Sequence, residues 1–96
     1  MKKYEQLTFD RSHTTADIKN TLQNMLLNYK DHVYVAYRYD SFSPYKYYIL
    51  YNVSLAGNRY ILFSGWNPGI DNRRVLIIST DMLINKNARI FVDMDQ

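Results

Sequence analysis

Eight of the chain's ten tyrosines fall between Tyr34 and Tyr60, seven of them in two runs, V-Y-V-A-Y-R-Y and Y-K-Y-Y-I-L-Y-N-V. Aromatic and β-branched residues suit a pleated, half-buried surface, so both runs read as strands. Between them stands Asp40-Ser41-Phe42-Ser43-Pro44, a turn whose proline removes a ladder hydrogen bond, so that pairing resumes behind it. The block is therefore a β-hairpin. A sheet with one face in water alternates apolar and polar residues along each strand. This hairpin has aromatic groups at both parities, so its second face must meet something: another element, another subunit or a partner.

The chain bounds what that something is. Its 96 residues suit one domain with a modest core. With 47% hydrophobic and 22% charged residues it is globular rather than disordered. It contains no cysteine, which excludes a disulfide framework and thiolate metal sites and fits a reducing cytoplasm. No apolar run approaches the ~18 residues of a membrane span, and no apolar segment follows Met1-Lys2-Lys3-Tyr4, so neither a membrane anchor nor a signal peptide is expected. The net charge of +3 is spread over Lys2, Lys3, Arg11, Arg38, Lys46, Arg59, Arg73 and Arg74 among others. Without a basic run, this charge permits nucleic-acid binding but does not demand it, and it disfavours mimicry of DNA. Nine Asn, eight Ile, six Lys and ten Tyr suggest an AT-rich genome, as in low-GC bacteria, their phages and their plasmids.

Periodicity supplies the other elements. Ile18, Leu22, Met25, Leu26 and Tyr29 share one face at a 3.6-residue period, which predicts a helix over about Thr15 to Asp31. Thr14 is its cap, with Asp17 reaching back. Strands are expected at Glu5–Phe9, His32–Asp40, Tyr45–Val53, Arg59–Ser64, Arg73–Ser79 and Ala88–Met94, and a short helix near Met82 with Thr80 as cap. Gly65-Trp66-Asn67-Pro68-Gly69 reads as a loop. The run R-R-V-L-I-I-S from Arg73 is apolar on both faces, which predicts a central or covered strand. The fold class is α+β, one long helix on an antiparallel sheet of about five strands.

Parity then assigns faces. Val33, Val35, Tyr37, Tyr39, Tyr45, Tyr47, Ile49, Tyr51, Val53, Ile61 and Phe63 are expected to face the helix. Tyr34, Ala36, Arg38, Lys46, Tyr48, Leu50, Asn52, Tyr60 and Leu62 form the opposite face. Tyr34, Arg38, Lys46, Tyr48 and Tyr60 are the binding candidates there, because tyrosine and arginine combine apolar area with polar tips. Trp66 joins them as the chain's only tryptophan. It is expected to be either a plug over the sheet edge, with its indole N–H on a backbone acceptor, or a recognition residue beside Arg73 or Arg74; the plug is preferred.

Chemistry finds little support. His13 and His32 stand at opposite ends of a helix of about 17 residues, roughly 25 Å apart, too far for a shared metal or an acid–base pair. Arg38, Lys46, Tyr34 and Tyr48 match the residue types of metal-independent RNase toxins, but no committed base accompanies them. Asp93 and Asp95 form a D-x-D without a third ligand nearby in sequence. No phosphate-loop pattern occurs. The aromatic content of Val33-Tyr34-Val35-Ala36-Tyr37 is similar to that of RNA-recognition sheets, without their RNP consensus. Ser79-Thr80-Asp81-Met82-Leu83 resembles the D-M-L-containing end of a family of small phage counter-defence proteins. The Trp that closes that pattern is absent, and no functional residue carries over.

The chain is thus expected to be a non-enzymatic protein-binding domain without metal or cofactor. Its expected form is an anti-CRISPR-like inhibitor, encoded by a phage or mobile element and acting by occlusion on a nuclease of host defence in the bacterial cytoplasm. A homodimer through the same face is a further expectation. The alternative is a small nucleic-acid-binding protein, and the third reading is the RNase toxin.

Overall fold

Helix formation begins where the capping residues predict it. In the computed structural model, which describes residues 3–94, Thr14 accepts a hydrogen bond from the Asp17 N–H at 3.0 Å, and the Asp17 carboxylate accepts the Thr14 N–H at 3.3 Å. This reciprocal box satisfies two of the N–H groups that a helix start leaves free. Helix α1 runs Thr15–Asn28, three residues shorter than expected. Tyr29 leaves helical geometry while its N–H still bonds to Met25 O, and Asp31, at φ 65°, turns the chain into the sheet. Lys30 therefore lies past the helix end.

The strands are β1 (Tyr4–Leu7), β2 (Val33–Tyr37), β3 (Lys46–Leu55), β4 (Tyr60–Asn67), β5 (Asn72–Ser79) and β6 (Ala88–Asp93), with helix α2 (Thr80–Ile84) between the last two. They form one antiparallel sheet of six strands in the order β1-β6-β2-β3-β4-β5. The fold is α+β, with α1 packed on a single face. Ser79 caps α2, its Oγ accepting the Met82 N–H at 3.2 Å, so the cap lies one residue before the expected Thr80.

Register decides what the helix covers. In an antiparallel pair, directly opposed residues share a face. Val35 opposes Tyr48, and Tyr37 opposes Lys46, so even positions in the first half of β3 lie with odd positions of β2. A bulge between Leu50 and Asn52 then shifts the pairing with β4, and Val53 opposes Phe63. The core is built accordingly. Ile18 and Leu22 of α1 meet Val33, Val35, Tyr48, Leu50, Val53, Ile61, Phe63 and Ile78, with Leu83, Ala88, Ile90 and Val92 completing the cluster. Thr15 Oγ1 donates to Asn58 O at 2.7 Å and Gln23 Nε2 to Val53 O at 3.2 Å, tying the helix across β3 and its following turn.

Three expectations are corrected here. Tyr45, Tyr47, Ile49 and Tyr51 do not face the helix, whereas Lys46, Tyr48 and Leu50 lie on its side; the connection from Tyr37 to Lys46 sets a register that parity alone does not fix. Strand β5 is an edge strand, paired only with β4, and Val75 and Ile77 are 60% and 62% exposed. Gly65, Trp66 and Asn67 belong to β4, and the turn follows them. Gly65 is where backbone and side chain approach most closely: a Cβ there would stand 2.8 Å from Tyr48 Cβ.

Candidate functional site

The face opposite α1 has no covering element from the described residues. The pairings lay it out in rows. Tyr34 sits between Phe91 and Ile49, Ala36 between Arg89 and Tyr47, and Ile49 lies beside Trp66. Leu62 opposes Ile77, Ser64 opposes Val75 and Trp66 opposes Arg73. Tyr4, Tyr47, Tyr51, Tyr60, Val75 and Ile77 are all exposed, and Tyr34, Ile49, Leu62, Trp66 and Phe91 are half-buried. Strands held by a buried core on their other side supply a preformed surface.

The candidates predicted from sequence divide. Tyr34 lies at the centre of the uncovered face, against Tyr4 in an edge-to-face pair 5.9 Å apart. Tyr60 stands exposed at the start of β4, at the apolar end. Tyr48 is 3% exposed and belongs to the core, which corrects its placement on the binding face. Lys46 is exposed but on the helix-side parity. Trp66 is half-buried within β4, and its indole N–H donates to the Asp71 carboxylate at 3.1 Å. It is therefore not an edge plug on a backbone acceptor; it lies partly exposed opposite Arg73, where the other expectation placed it. Asp71 adopts φ 47°, the tight-turn geometry that returns its carboxylate to the indole.

Arg38 lies just past β2. Its Nε donates to Asn87 Oδ1 at 3.0 Å and one terminal N–H to Ser41 O at 3.5 Å. Its guanidinium also lies 4.6 Å from the Tyr45 ring centroid, and Arg89 lies 5.2 Å from the same centroid. Tyr45 is fixed by its hydroxyl, which donates to Lys86 O at 2.6 Å. Arg89 and Tyr45 escaped the sequence reading. The signal available was the alternation A-R-I-F-V-D, which places Arg89 opposite the apolar Ala88, Ile90 and Val92.

Two hollows follow. A cleft of about 690 Å³ lies between the first residues of β3 and the β4–β5 turn, lined by Tyr34, Tyr45, Lys46, Tyr47, Ile49, Pro68, Ile70 and Arg74 among others. It exists because β4 pairs with β3 only from Ile49↔Trp66 onward, so the start of β3 has no partner on that side. A shallower apolar hollow of about 320 Å³ adjoins it, lined by Tyr4, Tyr34, Tyr47 and Phe91.

His13 and His32 flank α1, beside Asp10 and Asp93 respectively. Hydrogen bonds from Ser12 hold the Asp10 carboxyl below its ordinary range, and those from Ser43 and Phe42 do the same for Asp40, with Arg38 adding a smaller Coulombic contribution. Among the described residues no cluster of three metal-ligating side chains occurs, and Asp95 of the D-x-D pair lies outside them. No helix of the described residues is long and apolar enough to cross a membrane. No family model, no curated protein and no solved structure matches the chain.

Proposed function

We propose that this chain is a non-enzymatic binding domain that docks a protein partner on the sheet face opposite α1. The observation that supports it is the set of large apolar side chains, Tyr4, Tyr47, Tyr51, Tyr60, Val75 and Ile77, left exposed on this face by the fold. Six half-exposed side chains of this size present roughly 600 Å² before their half-buried neighbours are added, close to the ~800 Å² that one partner contributes to a standard interface. Patches of that extent on a lone domain mark interaction sites. In its specific form the partner is a nuclease of host defence in the bacterial cytoplasm, and the domain occludes its working surface. An amino-acid composition rich in Asn, Ile, Lys and Tyr, as AT-rich genomes encode, supports that form.

The competing occupant is a second copy of the chain. Light scattering on the purified protein, with capture from a bacterial lysate by wild type and by Ile77→Glu, separates the two. A monomer whose capture of a protein is lost in Ile77→Glu supports the reading. A dimer that Ile77→Glu splits assigns the face to self-association instead. Capture that survives both Ile77→Glu and Tyr47→Ala removes the face from the proposal. Expression in cells defended by a nuclease tests the specific form: phage infection that is not restored counts against it.

A further inference from the structure

The uncovered face is not uniform, and its end at Tyr45 carries a different chemistry from the apolar band. Two guanidiniums share one aromatic ring there, and among the described residues neither Arg38 nor Arg89 forms an ion pair. The acid that influences Arg38 is Asp40, whose Oδ1 is already engaged by Phe42 N, Ser43 N and Ser43 Oγ at 2.9 to 3.0 Å. Arg89 Nε is buried with no hydrogen-bond acceptor. That atom is out of reach of a ligand, so an oxyanion would meet the outer guanidinium nitrogens through charge-assisted hydrogen bonds. Beside this pair stands Tyr47, 58% exposed, its ring 6.4 Å from that of Tyr45 and tilted by 47°. Lys46 follows Tyr45 on the same wall of the cleft, turned to the helix side, and Arg74 stands across it; both are exposed.

From this geometry we infer a second binding site, for a short single-stranded nucleic-acid segment: Arg38 and Arg89 take one phosphate, Tyr47 stacks a base, Lys46 meets the backbone at the rim beside Tyr47, and Arg74 meets it across the cleft. An aromatic platform between cations is the arrangement that binds single strands without reading sequence. Tyr45 is a positioning residue, since the guanidiniums occupy its ring and its hydroxyl is tied to Lys86 O. A duplex fits poorly, because its bases are already stacked and cannot lie on Tyr47. The site shares Tyr47 with the proposed protein-docking band but not Val75 and Ile77, which lie on β5, away from β2 and β6.

Fluorescence anisotropy with a labelled oligo-dT and oligo-rU tests it, against a duplex of equal length, inorganic phosphate and poly-glutamate. The inference expects both single strands to bind more tightly than the duplex, and affinity to fall as salt rises. Tyr47→Ala should weaken binding about fivefold or more. Arg89→Gln should weaken it and lower the salt slope by about one. Ile77→Glu should leave it unchanged, so loss of protein docking and loss of this site are told apart. Arg74→Gln, a change at an exposed side chain, serves if Arg89→Gln unfolds. The inference is overturned if no oligonucleotide binds at low salt, if the duplex binds as well as the single strands, or if poly-glutamate competes equally. Unaltered binding in both Tyr47→Ala and the arginine variant also overturns it.

Discussion

Tyr47 and Tyr48 are neighbours in sequence and opposites in structure. Tyr48 lies on the helix side at 3% exposure, against Gly65 of the neighbouring β4, which leaves it room; Tyr47 points the other way and is 58% exposed. The same side chain closes a core on one face of the sheet and presents a surface on the other. A small sheet covered by one helix has only one core face to fill. Tyrosines on the second face fill no core, which is why the proposed docking surface is placed there.

That contrast is broken or sharpened by substitutions that should act on one face only. Leu22→Ala, in the fully buried helix stripe, should cost about 2–5 kcal/mol in denaturant melts; a loss below ~0.5 kcal/mol would mean that α1 does not hold the core face. Gly65→Ala should cost about 1–3 kcal/mol, because its Cβ would meet Tyr48 Cβ and both are carried by paired strands. A neutral result would show that β3 yields there and that Tyr48 is not fixed. Thr14→Ala should remove about 1 kcal/mol through loss of the α1 cap. On the other face, Tyr47→Ala and Ile77→Glu should each change stability by no more than about 0.5 kcal/mol, as surface substitutions do. A larger loss in either would show that this face, too, belongs to the folded core.

The smallest effect concerns the loop beside Arg38. Asp40 has its carboxyl lowered in the fold by Ser43 and Phe42. A depressed folded value means that its contribution is present above the unfolded pKa and lost as pH falls through the folded one. NMR titration should find Asp40 below the usual carboxylate midpoint in wild type, and Ser43→Ala should move it upward. An unchanged midpoint would show that the hydroxyl contributes nothing.

Much of the fold was legible in the chain, and the errors are instructive. The Thr14 cap, the helix stripe and the strand positions follow from local rules, because capping and periodicity act within a few residues. The face of β3 does not. It depends on how the connection from Tyr37 to Lys46 sets register and on a bulge near Tyr51, both settled by pairing with distant strands. Hence Tyr48 was placed with the ligand-facing residues and Tyr47 with the core. The edge position of β5 was hidden for a related reason: V-L-I-I reads as a doubly covered strand whether a helix or a partner provides the cover. Arg89 was missed because its neighbour Tyr45 is 44 residues away, in a different run of the sequence.

The position of β5 has a consequence for how this chain behaves at high concentration. An edge strand with two exposed aliphatic residues is a template on which further chains can add end to end, and sheets of this kind polymerise unless something interrupts them. Here Arg73 and Arg74 open the strand, immediately before Val75. Stacking two such edges in register would bring like charges together at every step. The arginine pair thus disfavours parallel, in-register addition of further chains at this edge, a geometry distinct from face-to-face contact through Val75 and Ile77.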